Sequence, residues 1–353
     1  MYSCLPCRKF PWLEKVIWIV VSLVIESSLL YYDLSKFRFT GNLKKRFQVN
    51  SSVANIVMSL TVDFILSSGA VTLAQTAVAP LDRVKTLLQT QPELRAQGRL
   101  VSPYKGVFDC TRRIVRTEGV VHCWRGNLPN ILKFLPTQAF NFGMKDQIKA
   151  LFKTSKEASP TTKVVTNIAS GGLAGILSLW LVYPLDYART RLATDIKAKG
   201  GERQFRGLVD LFVKTVRSDG QQGLYRGFTI TALGIFIYRG LYFGLYDTMK
   251  PLVLGPDSAF LSSILLGWGT SFTAGLLCYP LDTVKCRMMM RSGEAVKYSG
   301  SLDCLTQIIR TEGWRSLMRG AGVNIVKGLA GAAVLAGYDQ LKMNYLASRT
   351  STS

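Results

Sequence analysis

The residues best suited to chemistry are acidic and basic side chains that follow three prolines at a constant spacing. They occur in "PLDRVK", "PLDYAR" and "PLDTVK", which begin at Pro80, Pro184 and Pro280. The charges are Asp82 and Lys85, Asp186 and Arg189, and Asp282 and Lys285. Because proline kinks a helix, we expect three kinked helices to converge and to bring these six residues, the first charge ring, to one level. Ion pairs between neighbouring helices can form there.

A second set of charges recurs later in each copy, in "KDQIK", "YDTMK" and "YDQLK". This second charge ring consists of Asp146 and Lys149, Asp247 and Lys250, and Asp339 and Lys342. Between the two sets stand "EGVVHCWRG", "DGQQGLYRG" and "EGWRSLMRG". Three motifs in the same order, three times, indicate a threefold internal repeat. Two charge rings at opposite ends of one cavity favour a pair of alternating gates, with a static plug as the alternative.

Composition and periodicity predict an all-α membrane protein with six transmembrane helices in three pseudo-symmetric two-helix repeats. The chain is 48% hydrophobic and contains 31 glycines, which are common where membrane helices pack closely. The first helix of each repeat is expected at 55–89, 163–193 and 260–290, and the second at 125–149, 226–250 and 319–342. The predicted units are an extension 1–54, repeats 55–155, 156–255 and 256–346, and a tail 347–353.

The charge balance indicates anionic partners. Lys and Arg number 44 against 22 acidic residues, a formal net charge of +22. Nucleic acid is not expected, because the charges lie among long apolar runs; an anionic lipid and an anionic solute remain. The chain has one histidine, and no nucleophile–base pair or metal-ligand set recurs at the symmetric positions. We therefore expect neither an enzyme nor a metal or other cofactor.

Repeat arithmetic also predicts a central binding site. Lys133, Gly234 and Lys327 occupy equivalent points within the second helices of the three repeats. Lysines without an ionic partner are costly in a membrane interior, so a phosphorylated solute is the partner that they favour. Ile235 and Tyr238, next to the glycine, suit a flat purine ring. Simple packing of Tyr238 between helices is the alternative.

The three proline motifs and their companions resemble the mitochondrial carrier family. More narrowly, "TAVAPLDRVK", "CWRGNLPN", "LPTQAFNF", "VYPLDYARTRLA", "IYRGLYFGLYDT" and "RMMM" are similar to its ADP/ATP carriers. The resemblance implies six tilted helices, exchange of ADP and ATP as substrates, a monomer, association with the anionic phospholipid cardiolipin, and a multi-pass position in the mitochondrial inner membrane. A carrier of another nucleotide or phosphorylated metabolite, and a proton-leak or scaffold protein, are the alternatives.

The resemblance assigns partners to both charge rings. On the matrix side they would be Asp82–Arg189, Asp186–Lys285 and Asp282–Lys85, with Gln89 bracing one pair. On the cytoplasmic side they would be Asp146–Lys250, Asp247–Lys342 and Asp339–Lys149. Asn141 and Lys145 match family positions associated with nucleotide binding, and Lys285 and Arg287 are expected to add positive charge to the substrate site.

Two positions depart from the family pattern, and each lacks a positive charge. Gln75 stands where a lysine is usual, and Cys286 replaces the middle arginine of the basic cluster before the methionines. The central Lys133 and Lys327 also replace arginines. Because a charge-assisted hydrogen bond contributes about 1.5–3 kcal/mol, the two lost charges predict weaker binding or a preference for a less charged nucleotide. The alternative is that other cations compensate: Lys285, Arg287, Arg191 and Arg239.

The first 50 residues have no counterpart in the repeats. Residues 16–32 are apolar, follow several basic residues and are interrupted by Glu26. A non-functional extension, a membrane anchor and a targeting device are the three interpretations, and another organelle membrane is kept as an alternative location.

Overall fold

The computed structural model describes residues 43–134, 136–137, 140, 160–197, 202–253, 260–294 and 298–330, and all of their regular secondary structure is helical. The extension up to residue 42 and the tail lie outside this part of the chain. The helices are α1 Leu43–Ala96, α2 Val107–Glu118, α3 Asn127–Leu132, α4 Pro160–Ala193, α5 Leu208–Asp219, α6 Phe228–Val253, α7 Phe260–Met290, α8 Ser301–Glu312 and α9 at 321–330. The prediction of helices is confirmed for these residues.

The helices α1, α4 and α7 each contain a motif proline in their interior. The predicted bounds of α7 are those observed, whereas α1 extends beyond its prediction at both ends. Gly98 follows the C-terminal end of α1 and has a left-handed φ of +68°. Its backbone N–H donates to the Arg95 carbonyl at 2.9 Å. The charged run before residue 55 did not end the helix, because solvated lysine and arginine are good helix formers.

The link helices α2, α5 and α8 repeat one local structure three times. Each ends at the glycine of the acidic-glycine motif, and each of these glycines has a positive φ: Gly119, Gly220 and Gly313. A residue with a Cβ is strained in that conformation, which explains the glycine. A short 3₁₀ helix follows in every copy, at Val120–Trp124, Gln221–Tyr225 and Trp314–Met318.

Contacts between five helices close a ring. Along this ring α1 contacts α3, α3 contacts α4, α4 contacts α6, α6 contacts α7, and α7 returns to α1. The proline helices therefore meet across repeat boundaries, which brings their charged motifs together.

The hydrophobic core consists of three separate clusters, one at the proline-motif end of each repeat. They centre on Leu87 with Ile114, on Tyr187 with Leu211, and on Val284 with Ile308. The methionine triplet joins them: Met288 packs against the third cluster, Met289 lies in the second and Met290 in the first. Because successive residues of a helix differ by about 100° in direction, three consecutive flexible side chains can reach three cores.

Among the described residues, one segment is long and apolar enough to cross a membrane by itself, Gln221–Val253. The proline helices carry the motif charges and many small or polar residues, which lower their hydropathy. Hydropathy alone therefore does not establish six spans.

Candidate functional site

Three ion pairs close the ring at the proline motifs. Arg189 Nη2 lies 2.7 Å from Asp82 Oδ2, Lys85 Nζ lies 2.8 Å from Asp282 Oδ2, and Lys285 contacts Asp186. Each pair joins one repeat to the next, so the three pairs form a cycle. The predicted partners are thus in contact, while their action as a gate stays a prediction.

The two central lysines also bind acids of this first charge ring. Lys133 Nζ lies 2.7 Å from Asp186 Oδ1, and Lys327 Nζ lies 2.6 Å from Asp82 Oδ1. The expectation that these lysines stand without an ionic partner is wrong for this conformation. Each lysine side chain is long enough to reach from its own repeat to the acid of a neighbouring repeat. Sequence spacing does not predict such a contact between repeats.

The third acid, Asp282, has a different environment. The position equivalent to the two lysines is Gly234, and no second cation among the described residues forms an ion pair with this carboxylate. Instead the Gln89 amide nitrogen donates to Asp282 Oδ2 and to Thr283 Oγ1, both at 3.3 Å. The side chain of Asp282 is 37% exposed, against 14% for Asp82 and 9% for Asp186. The repeat symmetry is therefore broken at one of its three acids.

The cluster as a whole is electropositive. Five cations face three carboxylates, which leaves a formal charge of +2. In a low-dielectric interior such a charge attracts anions more strongly than it would in water. This arrangement suits a phosphorylated solute that arrives from the open side of the cavity.

The purine side of the predicted site lies on α6. A cavity of about 440 Å³ is lined by Ile235 and Tyr238, together with Tyr242 and Arg239. The rings of Tyr238 and Tyr242 lie 6.4 Å apart with an interplanar angle of 16°, and Tyr246 continues the row at 6.1 Å. Gly234 lies one turn deeper, and a Cβ there would have Leu281 Cδ1 as its nearest neighbour at 3.9 Å. The helix therefore presents flat aromatic surface and free space on one side.

Arg239 is a cavity residue that repeat arithmetic did not select. Its guanidinium lies on the glycines of α4: a Cβ on Gly171 would be 2.9 Å from Nη1, and one on Gly175 would be 3.5 Å from Nη2. The equivalent positions in the other repeats are not basic, so a symmetry search misses it. An arginine directly after Tyr238 in an apolar helix was the available signal.

The structure does not place Arg287 on the cavity, contrary to the expectation. The residue is fully buried, and its guanidinium bonds the Glu312 carboxylate and, at 2.7 Å, Ser316 Oγ. Burial would raise the pKa of the Glu312 carboxyl, but hydrogen bonds from Arg287 and Ser316 hold that pKa below its usual value. Arg287 is thus a structural residue between α7 and the end of α8.

Cys286 does not face the cavity either. It is 6% exposed, and its Sγ lies 3.7 Å from Gln89 Oε1, between α1 and α7. The loss of a cavity charge at this position is therefore not supported. The thiol instead contacts the glutamine that braces Asp282.

Several predicted residues lie outside the described residues: Asn141, Lys145, Asp146, Lys149, Asp339 and Lys342. Asp247 and Lys250 are exposed at the last turns of α6, and the partners that the resemblance assigns to them belong to that undescribed set. Gln75 is one of the two positions that depart from the family pattern. Its amide oxygen is buried and receives no hydrogen bond from the described residues.

A closed ring of helices with an electropositive charge cluster and a cavity lined by aromatic residues and Arg239 is the arrangement expected of a helical carrier for anions. The sequence profile described as "Mitochondrial carrier protein" matches residues 57–156, 160–257 and 256–349. The chain belongs to the mitochondrial carrier family, so it is a mitochondrial membrane transporter and not an enzyme.

Named relatives are similar over most of the chain. An "ADP,ATP carrier protein" of Chlamydomonas reinhardtii is 52% identical over 293 residues, covering 82% of this chain and 95% of that protein. An "ADP,ATP carrier protein" of Schizosaccharomyces pombe is 54% identical over 286 residues, covering 80% and 89%. The "ADP,ATP carrier protein 2, mitochondrial" of Arabidopsis thaliana is 52% identical over 291 residues, covering 81% and 76%.

Proposed function

We propose that the chain exchanges ADP for ATP across the mitochondrial inner membrane by alternating access. The names of its relatives support ADP and ATP as the substrates. The mechanism rests on the contacts of the two central lysines, which bind acids of the first charge ring and are the groups that a phosphate would bind. Lys133 and Lys327 each hold an acid of the first charge ring. A phosphate that takes over these lysines weakens the hold on Asp186 and Asp82. Binding of the substrate is thereby coupled to opening of the ring.

Six transmembrane helices in three repeats are part of this proposal. Support comes from the closed ring of helices and from large apolar side chains exposed on the long helices: Leu73, Trp180, Leu233, Leu265 and Leu277. Contiguous exposed apolar surface is rare on soluble proteins and suits contact with lipid. We further propose that the chain acts as a monomer, binds cardiolipin, and closes its cytoplasmic side with the second charge ring.

Nucleotide binding is proposed to divide between two faces of the cavity. The cationic floor with Lys133 and Lys327 takes the phosphates, since lysine binds phosphate as a compact point charge. The α6 face with Ile235 and Tyr238 takes the base by stacking. Asn141 and Lys145 remain proposed contacts on the strength of the family resemblance.

Reconstituted transport tests the function. Purified full-length protein in liposomes is loaded with ADP and offered labelled ATP, ADP, AMP, other phosphorylated metabolites or no substrate. Strict counter-exchange of ADP and ATP supports the proposal. Uptake of another phosphorylated solute in preference to both, or fatty-acid-dependent proton flux without exchange, would replace it by one of the two alternatives.

Charge reversal tests the gate separately, and the structure decides which pair to use. Reversing Asp186 and Lys285 sets the new lysine against Lys133, so the double variant should stay impaired. Among the described residues Asp282 forms one ion pair, with Lys85, and Lys285 acts on it without a direct contact, so the double reversal of Asp282 and Lys85 should regain exchange that each single reversal loses. Equal failure at both pairs would contradict an ion-pair gate.

A further inference from the structure

We propose that Asp282 accepts a hydrogen bond from the 6-amino group of the bound purine and so selects amino purines over 6-oxo purines. The inference rests on the proposed nucleotide exchange and deepens it. It gives Asp282 a second role besides its ion pair with Lys85. It also gives a reason for the one glycine among the three symmetric positions.

The first observation concerns the oxygens of this carboxylate. Lys85 and Gln89 both donate to Oδ2, at 2.8 and 3.3 Å. No described residue donates a hydrogen bond to Oδ1. Asp186 and Asp82 differ, because each uses both oxygens, one for a cation of the first charge ring and one for a central lysine. A carboxylate can accept about four hydrogen bonds, so Oδ1 of Asp282 has its capacity free.

The second observation concerns the space in front of that oxygen. In the other two repeats, the side chains of Lys133 and Lys327 fill the equivalent place and end within 2.7 Å of their acids. Gly234 has no side chain to reach its acid, and a Cβ there would meet nothing closer than Leu281 Cδ1 at 3.9 Å. A donor group of a ligand that lies on Gly234 therefore takes the position of the missing third lysine nitrogen.

The third observation is exposure. Asp282 has the most exposed side chain of the three acids, at 37%. Ile235 and Tyr238 follow Gly234 on α6 and line the cavity of about 440 Å³, whose lining includes neither Gly234 nor Asp282. In the proposed pose a base stacked on Tyr238 extends from this cavity to Gly234, one helical turn away, and turns its 6-amino group to Asp282.

The chemistry of the two purine types predicts the selectivity. The 6-amino group of adenine donates to the carboxylate, whereas O6 of a 6-oxo purine is an acceptor at the same place and the N1–H donor of that base lies one ring position away. A hydrogen bond to a charged group of this kind corresponds to about a tenfold to hundredfold difference in affinity. We therefore expect ADP to bind at least about tenfold more tightly than inosine diphosphate.

The test compares three diphosphates on the full-length protein in detergent: ADP, inosine diphosphate, and ADP with two methyl groups on the 6-amino nitrogen. Affinity is measured by calorimetry and by the ligand-induced rise in unfolding temperature. ADP should bind more tightly than both analogues by at least about tenfold. Binding of inosine diphosphate within about twofold of ADP would overturn the inference.

A double variant assigns the effect to Asp282. In Lys85→Gln with Asp282→Asn, the ring pair becomes two neutral amides, and an asparagine can turn either its donor or its acceptor to the base. The preference for ADP over inosine diphosphate should fall to about twofold or less. The matched control is Asp82→Asn with Arg189→Gln, which neutralises another pair of the same ring and should keep the preference.

Failure of this inference can be told from failure of the proposed function. Exchange of ADP and inosine diphosphate with equal affinity removes the role of Asp282 and leaves nucleotide exchange standing. Absence of any nucleotide binding or exchange by the unmodified protein removes both. If the Lys85 and Asp282 double variant does not fold, the single variant Asp282→Asn takes its place and should likewise lose the preference for ADP over inosine diphosphate.

Discussion

The three acids of the first charge ring should differ in their contribution to stability, although they occupy equivalent places in the repeats. We compare Asp186→Asn, Asp82→Asn and Asp282→Asn. Asp186 is 9% exposed and holds two lysines, so its neutralisation leaves two cations without a partner in the interior. Breaking a buried pair in this way costs about 3–5 kcal/mol. Asp82 is also doubly paired and should be nearly as sensitive.

Asp282→Asn should cost much less. Its one ion pair is partly exposed, and exposed pairs contribute about 0–1 kcal/mol; the Gln89 hydrogen bond adds about 1 kcal/mol. At roughly 2 °C per kcal/mol for a long chain, the unfolding temperature should fall by about 6–10 °C for Asp186→Asn and by about 2–4 °C for Asp282→Asn.

The assay is thermal unfolding of each purified variant in the same detergent without nucleotide. Asp210→Asn is the control, because Asp210 forms an i,i+4 pair with a Lys214 side chain that is 51% exposed. Its loss should cost about 0.3–0.5 kcal/mol. An unfolding temperature of Asp282→Asn as low as that of Asp186→Asn would refute the reasoning from exposure and double pairing.

Three further outcomes are expected. Lys133→Gln and Lys327→Gln should each weaken ADP binding by about tenfold to a hundredfold in calorimetry; unchanged affinity would contradict the central site. Arg287→Ala should lower stability by about 3 kcal/mol, because it removes the charged hydrogen bonds to Glu312 and leaves that carboxylate with only the partly exposed Arg319. ADP affinity should be unchanged, and a large loss of affinity would restore a substrate role. Cys286→Arg should lower the unfolding temperature by several degrees without tightening ADP binding. The control Cys286→Ser should resemble the unmodified protein. A clear gain in ADP affinity for the arginine variant would place the residue on the cavity.

The sequence predicts the repeat organisation well, because periodicity and motif order are properties of the chain alone. It predicts the turns after the link helices for the same reason, since Gly119 and its counterparts must adopt a positive φ. It does not predict that α1 includes residues before 55 or continues past Gln89 to Ala96. The extent of a helix in a charged segment depends on small local free energies that no motif indicates.

The candidate site was predicted in part. The three ring pairs were assigned from the family resemblance, whereas the repeat register by itself predicts only that these six charges lie at one level. The link from Lys133 to Asp186 could not be predicted, since it depends on the reach of a side chain between repeats. Arg287 could have been excluded: it lies two residues after Lys285, and a helix turns about 100° per residue, so the two side chains point about 200° apart.

Broken symmetry is the feature that connects this fold to a nucleotide. Three equivalent repeats by themselves make a threefold floor, whereas a nucleotide has a phosphate end and a base end and so has no threefold axis. Two lysines and one glycine at the symmetric positions divide the floor into a cationic part and an open part beside Asp282. The same substitution that removes a lysine from the third acid also leaves that acid the most exposed of the three. In the proposed site the base lies next to the acid that has a single ion pair among the described residues, so recognition of the base and release of the ring would act on the same residue.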